Sequence, residues 1–572
     1  MKSTRFVNLL LLVFLAVLLA YANHFENGFH FDDTHTITNN PAIEKLDVVT
    51  FFKDGSTFSS LPSNQSYRPW ITTINALDYQ VLGGLYPGPF HVHIFLTFLI
   101  TIGLLVYLVR KILRQHASSI PHLEQDRLAL ITGAVFGLLC ANAETVNYII
   151  QRAEIEAGLF ILAGFVAFLQ GGIWRKWHLY MIFPVLGFFA KELAFTFAPL
   201  LLIYFLIFEQ KVDLLRFYRA EELPKVWRAV RQSLPAFAIT LVFGLIYAQM
   251  LPETFSTGSS DRWAYLMTQP FVIGHYVLTF FIPYNLSADT DWTTFTSLAD
   301  YRVWIGIFVV LLLIWLALKT SSHPDTRMVS FGLIWFLITL APTSSIIPLA
   351  EVLNDHRAFI PYMGLTMAVV FGVRYVLIRY FSGQYRQPGT QKILWGLLFL
   401  VLAANAYGVH ERNKVWRNDL SLWKDVTEKS PGNGRGFMNY GLALMARGEF
   451  AAAEENFLQA QSRNPDYSLV YINLGILKNA MGEASTAETY FKQALNTSTS
   501  GFQSHYYYGK FLSESGRVEE AKAQLEQALI LNPHDHQSRQ LLHDLEQGIP
   551  PAEESTGGLR TADDYLALSL AM

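Results

Sequence analysis

Apolar runs long enough to cross a bilayer alternate with short polar stretches over the first 410 residues, and a different rhythm then takes over. A spanning helix needs roughly 17–25 mainly apolar residues. Runs of that kind lie at 6–22, 90–109, 128–150, 157–170, 234–250, 303–319, 328–343, 359–379 and 392–409. The apolar stretch 178–208 is interrupted by Lys191-Glu192, which predicts two short helices joined at that pair. Basic residues collect at Lys2/Arg5, Arg110/Lys111/Arg114, Arg175/Lys176, 211–231 and 374–392, marking one side as cytoplasmic. Alternation from a cytoplasmic N-terminus gives about 11 spans and leaves the C-terminus outside. Residues 268–285, from Gln269-Pro270 to Pro283-Tyr284-Asn285, must begin and end outside for the later loops to stay basic-inside. That predicts a re-entrant or interfacial helix, tolerated only where protein or a wet cavity covers it. The first run, with Lys2 and Arg5 before it and Ala20-Tyr21-Ala22 after it, also fits a cleavable signal peptide. An uncut anchor is the preferred reading, because cleavage would untether the loop that follows.

Beyond residue 410 the pattern becomes periodic. Gly441, Gly475 and Gly509 recur at intervals of 34 residues, as do Gly448, Gly482 and Gly516, and Ala460, Ala494 and Ala528. This is the period of tetratricopeptide helix pairs. Small residues let paired helices approach, while Tyr440/Leu474/Tyr508 and Phe457/Phe491/Leu525 fill the groove between them. Pro431, Pro465 and Pro533 end the second helices, with Thr499 breaking the series. Three full repeats, and a half repeat before them containing Trp416 and Trp423, reach the number needed to bury a continuous core. The sequence thus divides into a membrane domain at 1–410, repeats at 411–548 and a flexible tail at 549–572 that holds Pro550-Pro551 and Gly557-Gly558.

Composition sharpens this division. Hydrophobic residues make up 52% of the 572 positions and charged residues only 16%, well outside the range of one soluble domain. Residues 411–572 carry 15 Lys and Arg against 21 Asp and Glu; the first 410 carry 28 against 25. The basic excess sits in short loops between apolar runs, where it reports orientation and not nucleic-acid binding. Cys140 is the single cysteine, so there is neither a disulfide framework nor a cysteine metal site.

The candidate chemistry lies at the outer face. Asp32 and Asp33, in Phe29-His30-Phe31-Asp32-Asp33, open the first outer loop, residues 22–89. Arg68, His91, His93, Glu144, Arg152, Glu154, Lys191, Glu192, Asp289, Asp291, His356 and Arg357 map to the same side. Charges beside a bilayer are costly and therefore functional candidates. Transfer of a sugar from a lipid phosphate needs a carboxylate to take the acceptor proton and cations to hold the departing phosphate. Asp32 and Asp33 suit the first task; Arg68, Arg152, Lys191 and Arg357 suit the second. Ordinary explanations stand beside these. The acidic pair fits a solvated loop or helix cap, Arg152 and Arg357 fit interface anchors, and Lys191-Glu192 fits an ion pair or tight turn. His91 and His93 fit packing better than metal ligation. Glu144 needs a buried partner, with Arg152 one candidate, or handles a proton. A transporter fits less well, since the charges gather at one face and not at the midplane.

The layout resembles the GT-C membrane glycosyltransferases with a tetratricopeptide tail, a family that includes the transmembrane and tetratricopeptide-repeat protein O-mannosyltransferases and bacterial relatives. The resemblance runs from about residue 6 to 545. It rests on Phe31-Asp32-Asp33 with Asn39-Asn40-Pro41, Tyr67-Arg68-Pro69, Ala143-Glu144-Thr145-Val146, Arg152-Ala153-Glu154, Ala190-Lys191-Glu192, Tyr284-Asn285-Leu286 leading to Asp291-Trp292, and His356-Arg357 through Pro361 and Gly364. It implies an all-α, polytopic GT-C bundle followed by a repeat solenoid, and an inverting transferase using a polyprenyl-phosphate-linked monosaccharide. Asp32 or Asp33 would be the base. Arg68, Arg152, Lys191, His356 and Arg357 would face the donor phosphate, with Glu144, Glu154, Glu192 and Asp291 in support. The tail would select the acceptor polypeptide. Asn142 and Ala190 stand where the family often has histidine and serine, which leaves the sugar open. A divalent metal is neither required nor excluded by an acidic pair alone. The expectation is a multi-pass protein of a bacterial inner membrane with periplasmic repeats, moving a hexose, mannose being one candidate, to Ser/Thr hydroxyls. Transfer to lipid A or another glycan, and a non-catalytic repeat scaffold, are the alternatives.

Overall fold

A computed structural model describes residues 3–254, 261–345, 348–385, 387–533 and 535–549. Apart from residue 549, the expected flexible tail lies outside the described residues. The chain is all-helical there, and it forms two compact units. One comprises residues 1–288 with 292–418. The other comprises Asp289–Asp291 with 419–572.

Apolar length decides which helices of the first unit can cross a membrane. Seven described helices are long and apolar enough: Pro87–His116, Ile149–Gln170, Glu192–Glu209, Leu223–Met250, Tyr301–Thr320, Asp355–Tyr380 and Pro388–Val415. His122–Leu138 and Cys140–Asn147, bent by 54°, form an eighth if taken as one broken span. The expected 11 spans are therefore too many. The apolar stretch 128–150 breaks at Leu139, and 178–190 gives only the short helix Leu179–Ala190. The run 328–343 yields the 14-residue helix Arg327–Leu340, and the first run gives Thr4–Ala20, an apolar helix at the short limit of spanning length. Apolar composition does not reveal the break at Leu139, where Asn405 meets the Cys140 N–H, whereas the one at Lys191 falls where the charged pair predicted it. Residues 268–285, expected to be re-entrant or interfacial, belong mostly to one helix, Arg262–Phe281, with Pro270 inside it.

Close backbone approach ties these helices together. A Cβ on Gly332 would strike the backbone of Gly364 and Ala368, and one on Gly364 would strike the backbone of Gly332 and Phe336. Arg327–Leu340 and Phe359–Tyr380 thus pack through small residues, as helices do where no water drives association. Ser3–Ala20 packs against His122–Leu138 and Pro388–Val415. The segment Arg152–Gln170 sits between Pro87–His116 and Ile182–Ala190 and is buried almost throughout.

In the second unit, the pairs Gly434–Met445/Phe450–Arg463, Ser468–Ala480/Ala484–Leu495 and Phe502–Glu514/Val518–Leu531 repeat one geometry, with Asp419–Lys429 before them and His536–Glu546 after. A Cβ on Gly441 or Gly475 would meet Phe457 or Phe491 within 3 Å, which explains the glycines. Gly448, Gly482 and Gly516 turn the chain between paired helices at φ 76°, 80° and 75°. Thr499, where the proline series breaks, acts as a stitch: its hydroxyl accepts from the Ser468 N–H at 2.8 Å and donates to the Asp466 carbonyl at 2.8 Å. Trp416 differs from its expected role in a half repeat. It belongs to the first unit, where it is fully buried.

Candidate active site

The site is organised by a broken helix. Leu139 and Tyr148 adopt extended backbone at either end of a short run of helical turns, and residues 138–158 are buried. Backbone groups freed by such breaks must find partners away from water. The Asn142 side chain donates to the Phe136 carbonyl at 2.9 Å, Asn405 accepts from the Cys140 N–H at 3.1 Å, and Asn147 donates to the Ala143 carbonyl at 2.7 Å. Polar side chains along 144–154 then reach out to five other parts of the chain.

The acidic loop is the first. Asp33 is fully buried; its carboxylate accepts from the Ile150 N–H at 2.8 Å and the His30 N–H at 2.9 Å. Burial pushes its pKa up to about 7, against the lowering by those two donors. Asp32 turns the other way. Its side chain is 51% exposed, with His35 Nε2 at 3.2 Å, while its N–H donates to the Tyr148 hydroxyl at 2.9 Å. Two neighbouring carboxylates thus have different surroundings: Asp33 anchors the loop, and Asp32 is presented to solvent.

The loop is held in this pose by aromatic rings. Phe31 has φ 49°, a left-handed conformation that costs a residue with a Cβ about 1–2 kcal/mol. Its ring lies 5.4 Å from that of Tyr148 and 6.1 Å from that of Trp416, and Tyr148 stacks on Trp416 at 5.7 Å. The Trp416 carbonyl accepts from His30 Nε2 at 2.7 Å. Asn413, one turn earlier, pairs with Asn147 at 2.7 Å. The end of the last span therefore helps fix the position of Asp32.

Glu144 pairs with His356 Nδ1 at 2.7 Å, and not with Arg152. Arg152 is 1% exposed and donates to Asp78 at 2.7 Å and Asn75 at 2.8 Å, so it acts as a buried strut between Pro69–Leu82 and the broken helix. Burial would raise the Asp78 carboxyl, but Arg152 and then His93 hold it below the usual range. The Lys191-Glu192 pair splits. Lys191 is extended, so successive side chains diverge. Lys191 Nζ meets Glu154 at 2.8 Å and Gln151 at 3.3 Å, whereas Glu192 meets Arg68 at 3.2 Å. Arg357 bonds the Glu351 carbonyl at 2.8 Å, and His356 lies within electrostatic reach of both Lys191 and Arg357. Asp291 belongs to the repeat unit, where it accepts from the Gly432 N–H at 3.0 Å; it does not support this site. Its neighbour Asp289 likewise pairs with Arg435 at 2.9 Å.

The sequence did not single out Tyr148, Gln151 or Asp78 as site residues, and it gave Trp416 to the repeats and not to the site. Asn75 and Asp78 offered the one usable signal, two polar residues three apart inside an apolar helix. Among the described residues no group of three or more His, Cys, Asp or Glu side chains is placed to hold a metal ion.

Comparison with known proteins bears on what this arrangement does. Residues 434–467 match the tetratricopeptide repeat family. Protein O-mannosyl-transferase Tmtc3 of Drosophila melanogaster is 22% identical over 514 residues, covering 79% of this chain and 54% of the fly protein. Human protein O-mannosyl-transferase TMTC4 is 23% identical over 501 residues, covering 77% of this chain and 64% of the human one. The chain is a distant homologue of the protein O-mannosyl-transferases. It spans less than two thirds of the length of either relative. A tetratricopeptide protein of Thermus thermophilus aligns at 20% identity over 32% of this chain and 90% of its own, with a TM-score of 0.22, too low to say more. The protein is thus a multi-pass membrane protein with repeats, distantly related to mannosyltransferases.

Proposed function

We propose that the protein is an inverting glycosyltransferase that moves a hexose, mannose in the first instance, from a polyprenyl phosphate to Ser/Thr hydroxyls of exported polypeptides. The observation that carries this reading is the division of labour between Asp33 and Asp32. The Asp33 carboxylate is occupied by two backbone N–H groups, whereas the Asp32 side chain is half-exposed, its residue fixed by the backbone N–H that donates to the Tyr148 hydroxyl. A general base must be reachable by the acceptor hydroxyl, so Asp32 takes the proton as the oxygen attacks the anomeric carbon. The bond from that carbon to the phosphate oxygen breaks as the new one forms, and the phosphate leaves with the carrier lipid.

Lys191 and Arg357, both within electrostatic reach of His356, meet the negative charge growing on the phosphate. Arg152 serves as a strut, and Arg68 with Glu192 ties the first outer loop to the break at Lys191. The reaction uses the lipid-linked sugar as a substrate and asks for no resident cofactor. The repeats select the acceptor, and the donor and acceptor sites face the periplasm of a bacterial inner membrane.

The test is transfer in membranes from cells expressing Asp32→Asn, supplied with a polyprenyl-phosphate hexose and a Ser/Thr peptide. Loss of about 100-fold or more in rate with unchanged protein level supports the reading; wild-type transfer by that variant ends it.

A further inference from the structure

We propose that a cavity at the basic end of the helical bundle holds the head group of one singly charged, hydroxylated glycerophospholipid, of which phosphatidylglycerol is the simplest case. This cavity is separate from the site around Asp32. Arg152 starts the helix Arg152–Gln170, and Phe168, near the other end of that helix, lines the cavity. The rise between the two residues is about 24 Å.

Phe168, Arg175, His178, Phe205 and Arg231 bring distant parts of the chain around a volume of about 360 Å³, the size of a small ligand site. The two arginines differ in what already holds them. Arg175 bonds the Glu209 carboxylate at 2.7 and 2.8 Å, and its guanidinium lies over the rings of Phe168 and Phe205. No hydrogen bond or ion pair holds the Arg231 guanidinium among the described residues. Arg175 and Glu209 cancel, so one positive charge in the lining stays unmatched. It calls for the single negative charge of a phosphodiester and not for the near-double charge of a phosphomonoester.

The polar lining adds direction. His178 has φ 54°, a left-handed backbone that is costly for a residue with a Cβ, and its ring forms part of the cavity wall. Its Nδ1 rests 3.3 Å from the Tyr180 hydroxyl, which leaves Nε2 for a ligand. Arg231 and Pro235, one helical turn apart, line the cavity together, and Pro235 has no N–H to give to the Arg231 carbonyl. That carbonyl asks the occupant for a donor. A glycerol hydroxyl supplies one, and a choline group does not.

The surroundings favour a lipid over free phosphate. Trp177, next to His178, and Trp227, one turn before Arg231, are both exposed, as tryptophans are at the level of lipid head groups. Leu234, Phe237, Leu241 and Leu245 continue from Arg231 along one face of Leu223–Met250 and are exposed as well. Acyl chains lie along this stripe while the phosphodiester reaches the Arg231 guanidinium. Only 11% of the apolar window of this helix is buried, so a head group shared with Arg175 and His178 ties it to the rest of the bundle.

The test is binding of phosphatidylglycerol with a fluorescent acyl chain to the full-length protein, stripped of lipid in a neutral detergent. Unlabelled phosphatidylglycerol should displace the probe. Phosphatidylcholine should do so at least about tenfold less well, and inorganic phosphate at matched ionic strength not at all. Arg231→Gln is expected to weaken binding about tenfold, and His178→Asn, which suits the left-handed turn but shortens the side chain, about fivefold. Arg228→Gln removes a charge from the same helix outside the lining and should leave binding unchanged. Without lipid, Arg231→Gln should melt with the wild type; phosphatidylglycerol should raise the wild-type midpoint and leave that of the variant nearly unmoved. Equal weakening by Arg231→Gln and Arg228→Gln would reduce the effect to general attraction by a basic surface and overturn the proposal. Displacement by inorganic phosphate as effective as by lipid, no saturable binding by the wild type, or a lower lipid-free midpoint in Arg231→Gln overturns it as well.

Discussion

The two units handle buried polarity in opposite ways. In the membrane unit, carboxylates, arginines, a lysine and histidines are buried together and nearly every one is committed: Asp33 to backbone, Glu144 to His356, Glu154 to Lys191, Asp78 to Arg152. These partners come from far along the chain, and removing one leaves its mate charged and buried, at a cost of about 3–5 kcal/mol. In the repeat unit, the core is Phe, Leu, Ala and Gly at a fixed period, and ion pairs such as Arg517–Glu488 lie toward solvent. The first unit secures a fixed arrangement of reactive groups through long-range pairing. The second obtains its shape locally, repeat by repeat, and can present a binding face without any single contact being indispensable.

The sharpest way to break this contrast is to cut between the units. A chain ending at Asn418 keeps Asn413 and Trp416, and it is expected to retain transfer to a serine amide. A chain ending at His410 loses the Asn147–Asn413 bond and the ring stacked on Tyr148, and transfer should drop by at least about 100-fold. Equal activity of the two truncations, measured on the same detergent-solubilised preparations, would deny the end of the last span its role.

A single side chain tests the same point more gently. Trp416→Ala opens a cavity beneath Phe31 and Tyr148, which for a large aromatic costs about 3–5 kcal/mol of stability. Because the loop would still reach the acceptor, kcat is expected to fall about tenfold to 100-fold with KM for the acceptor nearly unchanged, and Trp416→Phe should recover much of the loss. A rise in KM alone would show that Trp416 affects acceptor binding and not the pose of Asp32.

Asp33 gives a pH signature that the repeats lack. Its carboxyl titrates near 7 when folded, against an ordinary value of 3.8. The folded state therefore holds this proton more tightly than the unfolded one. The resulting stability is fully present below about pH 4 and is lost as pH rises through 7, up to about 4 kcal/mol in all. The thermal midpoint of the membrane unit should fall between pH 5 and pH 8, and Asp33→Asn should flatten that slope. A midpoint that rises over this interval in wild type would show that the two backbone donors outweigh burial.

How much of this could be read from the chain follows from the same contrast. The 34-residue glycine and alanine spacing announced the repeats, since each contact there is local and recurs. Asp32 and Asp33 stood out as an acidic pair after an apolar run. Which of them faces solvent depends on Tyr148 and Ile150, more than 100 residues away, and no local pattern encodes that. Glu144 meets His356 across 212 positions for the same reason. The break at Lys191 stood where the charged pair Lys191-Glu192 predicted it, whereas the one at Leu139, where Asn405 meets the Cys140 N–H, carries no charge that would have announced it.

The smallest effect bears on the claim that the repeats are built locally. Gly482 and Gly516 occupy equivalent turns at φ 80° and 75°, and a Cβ at either would meet nothing within 4 Å. Substitution by alanine therefore costs only the backbone preference, about 1 kcal/mol. If each repeat contributes independently, Gly482→Ala and Gly516→Ala should weaken hydrogen-exchange protection of their own helix pairs by about fivefold each. The double variant should show the sum, and the slowest amides of Arg152–Gln170 should not respond. Gly475→Ala is the internal contrast: its Cβ would sit 2.9 Å from the Phe491 ring, so it should cost more than either turn substitution. Unequal losses at Gly482 and Gly516, or a response spreading into the membrane helices, would mean that the repeats are stabilised as one body and not as a row of near-identical parts.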